Sequence, residues 1–475
     1  MRHFIVVLSG TLATVPLLAS GQPNPTPPTT GSGSSTPASG SATPTTDPGT
    51  TTTTPPVETA PPTTTEPTPP VIDEEDTGAA PAVFTAKLYG YLDAHYEKSA
   101  AVPVGVNSAG QTIEAGSPGE WDLTNFHVML QGNVFGSYRY FINLAAPGSG
   151  APNEDASIGL RNAWLEIPLY RDLFNFRLGK TYRRFGLYNE ILDAVPTFIG
   201  IEPPEMFDTD HLMLTRTTNA MLHGKLSSGD ATISYALSTG NDERESGQIP
   251  MGADLRFNFQ PGIVIGASYY STNGAATPAG DVDAGNPIGG VANWMATDDF
   301  KVYSLFAQLM TAGVTLQAEY TAGVHDAERD PDRVATLAAE AGLYQPQLDR
   351  FFMDPSDPVA MNVITNVSYQ IRAAYVRAGY EIQAGKWELV PYAQLDYYDN
   401  KENIQNEDYG GDNEAGVADD GIFYKTTLGI VLRPVRFVAV KVDGSTHTFK
   451  FNGEYFTYPE IRTSFSLYWE YGDVN

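Results

Sequence analysis

"FYKTTLGIVLRPVRFVAVKVD" (residues 423 to 443) is the stretch that decides the fold, because polar and apolar side chains alternate on both sides of a tight turn. Successive side chains of a strand point to opposite faces, so the alternation predicts a β-hairpin with one apolar and one polar face. The polar face carries Lys425, Lys441 and Asp443. The remaining question is which of the two faces meets water.

The same alternation recurs from Val83 to the end of the chain, as in "ADLRFNF" (253 to 259) and "VTLQAEYTA" (314 to 322). The connections between the predicted strands alternate in length. The short ones are 134–137, 169–172, 227–230, 260–262, 311–313, 383–386 and 433–435. The long ones are 97–121, 148–157, 183–213, 240–249, 272–297, 324–363, 400–420 and 449–457. The pattern predicts an all-β fold of about 16 antiparallel strands.

An even strand number with long loops at one end only is typical of a transmembrane antiparallel β-barrel with short periplasmic turns and long extracellular loops. We assign residues 81–475 to this barrel. Its apolar face would meet lipid and its polar face would line a lumen, and closure would pair every backbone group. A soluble sandwich, the alternative, would turn its apolar face inward and have short loops at both ends. Aromatic residues near strand ends predict interfacial girdles: Tyr96, Tyr138, Tyr397, Tyr424, Trp469 and Tyr471.

The first 80 residues contain two segments of different composition. Residues 1–21 have a short basic start, an apolar core and small residues at the end, which predicts a secretory signal peptide rather than a membrane anchor. Residues 22–80 are rich in Pro, Thr, Ser and Gly and predict a disordered periplasmic tether. The tether is either a solvated linker or a contact to the cell wall. The predicted location is therefore the bacterial outer membrane.

Composition excludes several function classes. The chain has 56 acidic and 28 basic residues, a net charge of -28 and no cysteine. The acidity argues against nucleic-acid binding, and the lack of cysteine excludes disulfides and thiolate chemistry. The chain contains no His-Glu-x-x-His pair and no histidine beside a Gly-x-Ser-x-Gly turn. We therefore predict no enzyme activity, no metal site and no cofactor.

The segment "LRNAWLEIPLYRDLFNFRLGKTYRRFGLYNE" (160 to 190) resembles the phosphate-selective porin O and P family. Further similarity lies in 219–242, 387–400 and 426–443, so that the likeness covers most of residues 83–471. The resemblance implies a 16-stranded porin that forms a homotrimer and passes small anions or hydrophilic solutes. The chain departs from the family at Lys180-Thr181, where the family has Gln-Phe, and at Arg184, where it has Pro. Gln394 stands where the family has an arginine.

The polar faces of the strands place charged residues in the predicted lumen. The basic lumen-facing residues are Lys87, Lys225, Arg256, Arg377, Lys425, Lys441 and Arg462. The acidic ones are Asp93, Glu166, Asp254, Glu319, Asp396 and Asp443. Fixed charges in a pore give weak ion selectivity. Alternatively, these charges pair across strands and only keep the lumen solvated.

The long connection 183–213 is the predicted constriction, because arginines at its start and carboxylates further on would create a transverse field. The residues predicted to contact anions are Arg177, Lys180, Arg183 and Arg184, with Asp208 and Asp210 opposing them. A surface loop with solvated charges is the alternative.

Two further loops carry recognisable patterns. The acidic loop 400–420 predicts a solvated surface loop or a calcium site, although its spacing does not fit an EF-hand. The run "DPDRVATLAAEAGL" (330 to 343) predicts a short helix over the mouth. The predicted function is a passive outer-membrane channel for small hydrophilic or charged solutes, including ions such as phosphate, with membrane lipid as its surroundings. A non-conducting structural barrel or tethered adhesin is the alternative.

Overall fold

The computed structural model describes residues 84–106, 112–116, 119–147, 158–191, 199–204, 206, 216–240, 248–259, 262–277, 291–340, 343, 345–400, 402, 421–451 and 453–474. The predicted signal peptide (1–21), the predicted tether (22–80), Asp208 and Asp210 lie outside these residues.

The described residues form strands, two short helices and two 3-10 turns. Strands β1 to β19 are, in order, Ala86–Ser99, Val102–Val106, Thr112–Ala115, Glu120–Val134, Tyr138–Pro147, Gly159–Tyr170, Phe174–Tyr182, Arg216–Ser228, Ala231–Gly240, Met251–Phe259, Ile263–Ser271, Met295–Thr311, Val314–Arg329, Asn366–Tyr380, Ile382–Ala384, Trp387–Asp399, Ile422–Val435, Val438–Phe451 and Glu454–Val474. Helices α1 and α2 are Pro331–Glu340 and Gln345–Phe351. The 3-10 turns are Asn189–Ile191 and Ala360–Asn362. No helix in this part of the chain is long and apolar enough to cross a membrane.

The strands close into a barrel. All except β2 and β3 belong to one 17-stranded antiparallel sheet, in which neighbours in the chain are also neighbours in the sheet. β14 and the short β15 both pair with β16, so the 17 strands occupy 16 positions. β1 pairs with β4 on one side and with β19 on the other, which closes the sheet. The predicted 16-strand antiparallel barrel is confirmed.

The connections alternate in length as the sequence predicts, with one exception. Tight turns at 135–137, 171–173, 229–230, 312–313 and 436–437 lie at one end of the barrel. The prediction of a long connection over 449–457 is wrong, because β18 runs to Phe451 and β19 begins at Glu454. Gly453 has a φ of 81°. The dipeptide Asn452-Gly453 favours a two-residue hairpin turn, and aromatic residues of the two strands flank it on both sides.

The two faces of the barrel wall differ in polarity. Aliphatic side chains such as Leu305 and Leu428, each 64% exposed, point outward. Lys441 and Asp443 are 0% and 3% exposed and point inward. This is the reverse of a soluble protein and is the arrangement of a barrel whose outer face contacts lipid.

An apolar cluster lies at the long-loop end, where α1 and α2 connect β13 to β14. Val334 and Leu337 of α1 pack in this cluster with Trp294 and Phe351. The predicted helix over 330–343 is confirmed by α1, and Asp330 caps it because its Oδ1 accepts the Asp332 and Arg333 backbone N–H groups at 3.0 and 3.1 Å. The helix therefore packs at the mouth of the barrel.

Candidate functional site: the lumen and its inner loop

The segment after β7 folds into the barrel. We call residues 183–206 the inner loop; its described parts are 183–191, 199–204 and 206. These parts contact inward-facing side chains of β10, β11, β13, β14 and β16 to β19. The described part of the predicted constriction loop therefore lies within the lumen and narrows it.

Backbone groups fix the first part of the inner loop. Arg256 Nη2 donates to the Gly186 carbonyl at 2.9 Å, and the Gly186 N–H donates to Ser268 Oγ at 2.9 Å. The Leu187 N–H donates to Glu319 Oε2 at 3.0 Å. Gly186 has a φ of 57°, and a Cβ at this position would collide with the Glu319 carboxylate, so only glycine fits.

Tyr188 of the inner loop contacts side chains of β13 and β14. Its hydroxyl donates to Gln317 Oε1 at 2.8 Å and accepts a hydrogen bond from Arg377 Nη1. The Arg377 guanidinium also lies 5.1 Å from the Tyr188 ring centre, and Tyr375 meets the same ring edge-on at 5.8 Å. The aromatic ring thus links the loop to an arginine of the far wall.

The Glu190 carboxylate forms ion pairs with one arginine of the loop and one arginine of the wall. Its Oε2 lies 3.0 Å from Arg184 Nε and 3.4 Å from Arg256 Nη2. Burial alone would raise the pKa of the Glu190 carboxyl, but Arg184, Arg256 and Arg177 together lower its pKa to about 2. Glu190 is therefore ionised at neutral pH and holds the start of the loop.

The second part of the inner loop reaches the opposite wall. Ile199 packs against a small apolar cluster formed by Val390, Tyr392, Val431 and Ala439. Lys441 Nζ donates to the Gly200 carbonyl at 2.8 Å, and Arg377 Nη2 donates to the Glu202 carbonyl at 3.0 Å. The loop therefore crosses the lumen from β7 to β18.

The Glu202 carboxylate binds two cations of this wall. Its Oε2 lies 3.1 Å from Lys425 Nζ and also forms an ion pair with Arg462 Nη1. Arg462 Nε lies 3.2 Å from Asp443 Oδ1 and 3.6 Å from Glu460 Oε2. No short-range pattern in the sequence connects Glu202 with these residues.

The predicted lumen-facing cations divide into two groups. Arg256, Arg377, Lys425, Lys441 and Arg462 all point inward and all contact the inner loop. Lys87 and Lys225 form the second group and have carboxylate partners outside the inner loop. Lys87 Nζ is 2.7 Å from Glu470 Oε1. Lys225 is half-exposed beside a tight turn, and its Nζ is 3.6 Å from Asp172 Oδ2. The basic lumen charges are thus paired with protein groups.

The prediction that Lys180 faces the constriction is wrong. In the pairing register Lys180 lies opposite Ala163 and Thr218, on the outward face shared with Leu178. Arg177 points inward, and residues three apart in a strand lie on opposite faces. The two residues therefore cannot both line the lumen.

The remaining predicted constriction arginines bind protein groups. Arg177 Nη2 lies 2.8 Å from Glu166 Oε2, and its guanidinium lies 4.2 Å from the Trp164 ring centre. Arg184 binds Glu190, as described above. Arg183 is buried, with its guanidinium 5.1 Å from the Tyr270 ring centre. Their role in anion contact stays a prediction.

A second charged cluster lies entirely within the wall. Glu166 of β6 is 1% exposed and binds Arg139 and Arg177, which lie directly opposite it on β5 and β7. His223 Nε2 of β8 lies 2.9 Å from the same carboxylate. Arg139 was not among the predicted lumen residues, although the period-2 pattern of the β5–β6 hairpin puts it beside Glu166.

Ser445, His447 and Glu460 lie together on β18 and β19. Ser445 Oγ and Glu460 Oε2 lie 2.9 and 2.6 Å from the same nitrogen, His447 Nε2. A catalytic relay needs the nucleophile and the acid on different ring nitrogens. This arrangement is that of a buried hydrogen-bond cluster.

The inward polar side chains are shielded from solvent around much of the wall. The following are 5% exposed or less: Asp93, His127, Asn143, Asn162, Asn219, Ser304, Thr321, Gln394, Thr427 and Ser464. In a wide, open pore such side chains would be hydrated. The described lumen wall is therefore that of a narrow or closed passage.

The described residues contain no group of three or more His, Cys, Asp or Glu side chains arranged to hold a metal ion. Most of the acidic loop 400–420 lies outside the described residues, so its predicted calcium binding stays open. Glu402, which is described, binds Arg329 at 2.8 and 3.1 Å. This carboxylate therefore has a structural partner.

No family model and no curated protein matches the chain. The resemblance to phosphate-selective porins is therefore not confirmed. Among solved structures, an anion-selective porin from Comamonas acidovorans is 11% identical over 81% of this chain and 100% of the porin, with a TM-score of 0.48. The outer-membrane channel DcaP of Acinetobacter baumannii is 11% identical over 82% and 99%, with a TM-score of 0.49. OmpF of Salmonella typhi is 12% identical over 81% and 97%, with a TM-score of 0.47. The barrel assignment rests on the strand pairing of this chain.

Proposed function

We propose that the protein is an outer-membrane channel for passive diffusion of small hydrophilic or charged solutes, and that it catalyses no reaction. One observation carries the proposal: the closed barrel has an apolar outer face and a polar inner face, which is crossed by a loop. A polar lumen in a lipid-facing barrel gives water-soluble solutes a path across the membrane.

The charges of the lumen support a preference for small anions. Arg377, Lys425, Lys441 and Arg462 converge on one part of the inner loop, although the chain as a whole is strongly acidic. Arg and Lys donors bind anions, and an anion in the passage competes for them with the protein groups that they contact. Phosphate is one member of this solute class.

Assembly and location belong to the same proposal. The apolar outer wall supports a location in the bacterial outer membrane, and the resemblance in sequence implies a homotrimer. Chemical crosslinking in native membranes tests the trimer, with bands at two and three times the monomer mass expected. A single monomer band at every crosslinker concentration would contradict it.

Liposome swelling tests the channel. Proteoliposomes are moved into isosmotic solutions of sugars of increasing size, and the swelling rate is followed by light scattering. We expect swelling with the smallest sugars and a steep fall with size, because the inner loop narrows the lumen. Vesicles that swell no faster than protein-free vesicles, although the barrel is folded, would contradict the proposal.

The burial of the lumen wall favours a second candidate, a non-conducting structural barrel. Polar inward side chains with exposures of 5% or less are what a permanently filled barrel would show. The two candidates differ in whether the inner loop can leave its contacts. Swelling that appears only after the loop is released would identify a closed channel rather than a structural barrel.

A further inference from the structure

Four cations from four strands meet one short segment of the inner loop. Arg377 on β14 and Lys441 on β18 donate to the carbonyls of Glu202 and Gly200. Lys425 on β17 and Arg462 on β19 bind the Glu202 carboxylate. The wall thus presents a preformed group of donors of the kind that binds oxyanions.

Wall carboxylates offset part of the positive charge of these four cations. Asp443 and Glu460 lie 3.2 and 3.6 Å from Arg462, Asp396 lies opposite Lys425 in the strand register, and Asp93 attracts Lys441 electrostatically. Glu202 differs from these carboxylates because it belongs to the loop and not to the wall. Its departure makes the charge at this place one unit more positive.

The Glu202 side chain is less buried than the two cations that its carboxylate binds. The side chains of Lys425 and Arg462 are 1% and 2% exposed, whereas the Glu202 side chain is 28% exposed. Glu202 therefore lies over the cations, on the side open to the lumen. The cavity beside it, lined also by Arg377 and Thr427, has room for about one water molecule. A larger anion can reach the cations only when Glu202 leaves.

We propose that these four cations form a binding site for a small oxyanion, a carboxylate or a phosphate, and that Glu202 is a tethered anion occupying it. The inference deepens the proposed function and rests on it, because the competing anion would be the solute. Glu202 and the solute exclude each other, so the loop leaves the wall when a mobile anion takes its place. Arg and Lys donors suit the oxygen atoms of either anion class.

The test compares three proteins in planar bilayers under a potassium chloride gradient: wild type, Glu202→Gln and the control Glu470→Gln. Both variants lose one carboxylate, but Glu470 pairs with Lys87, away from the inner loop. We expect the reversal potential of Glu202→Gln to move to the anion side, and inorganic phosphate to block its chloride current several-fold more strongly than in the other two. Acetate in the same assay distinguishes a carboxylate site from a phosphate-selective one.

Equal reversal potentials and equal phosphate block for Glu202→Gln and Glu470→Gln would overturn the inference while leaving the channel intact. Glu202→Asp keeps the charge, and we expect it to behave as wild type, which separates loss of charge from misfolding. Equilibrium binding of radiolabelled phosphate to the folded protein in detergent provides a readout that needs no current. We expect Glu202→Gln to bind phosphate and the additional change Lys425→Met to abolish this binding. A lack of phosphate binding by Glu202→Gln would overturn the proposed site even if no variant conducts.

Discussion

Two carboxylates bind cations in the same lumen, but they belong to different parts of the molecule. Glu166 lies in the wall, and its partners Arg139, Arg177 and His223 come from strands one or two positions away. Glu202 lies in the inner loop and binds cations more than 200 residues further along the chain. The wall cluster is part of the barrel, whereas the loop contact can break while every strand stays paired.

The two contacts also differ in burial. Glu166 is 1% exposed, and the Glu202 side chain is 28% exposed. A buried charge left without its partner costs much more than an exposed one, because water cannot replace the partner. The wall cluster should therefore control stability, and the loop contact should control passage.

The largest effect on stability is expected for Glu166→Gln. The change removes the carboxylate that Arg139, Arg177 and His223 bind in the wall, and we expect it to lower the free energy of unfolding by about 3 kcal/mol. Urea unfolding, followed by tryptophan fluorescence in detergent, measures the loss. The control is Glu388→Gln, whose partner Arg433 lies near a tight turn. An equal loss of unfolding free energy in both variants would show that the wall cluster contributes no more to stability than the Glu388–Arg433 pair does.

A smaller loss, about 2 kcal/mol, is expected for Ile199→Ala. Ile199 anchors the inner loop on Val390 and Val431, so its truncation weakens docking without changing any charge. We expect a larger unitary conductance. Ile249→Ala, at a residue 63% exposed, is the matched control. An unchanged conductance for Ile199→Ala would show that this anchor does not hold the loop.

For Glu202→Gln we expect a loss of only about 1 kcal/mol, because Arg462 retains Asp443 and Glu460. The same urea experiment measures it beside Glu166→Gln. A loss as large as that of Glu166→Gln would remove the distinction between the two clusters.

The smallest effect at neutral pH concerns Glu190, whose pKa is lowered to about 2 by the neighbouring arginines despite its burial. A lowered pKa means that its contribution to docking is complete above about pH 4.5 and is lost as the pH falls toward 2. We expect the conductance to rise as the pH falls below about 4.5. Glu190→Gln should lack this step in the same titration. An identical step in the variant would assign it to another carboxylate.

The sequence was sufficient to predict the barrel, because alternation and turn signals are local. The inward orientation of Arg377 and Lys441 follows from the same period of two. The same rule excludes Lys180, which was predicted to contact anions together with Arg183 and Arg184 but lies on the face opposite to Arg177. The long connection predicted over 449–457 is instead part of two paired strands, although the dipeptide Asn452-Gly453 was a hairpin signal available in the sequence.

The inner-loop contacts could not be predicted in the same way. Lys441 and Gly200 are 241 residues apart, and Lys425 and Glu202 are 223 apart. No periodic pattern links a loop to a wall at such separations. Their pairing depends on the path of the loop through the lumen, which only the folded barrel defines.

The most direct test of the account is the single-channel conductance of the wild-type protein and of Ile199→Ala in planar bilayers. We predict discrete steps for both proteins, with larger steps for the variant, because the inner loop narrows a passage that exists through the barrel. Folded protein that inserts into the bilayer and gives no steps in either form would contradict the claim that this barrel is a channel.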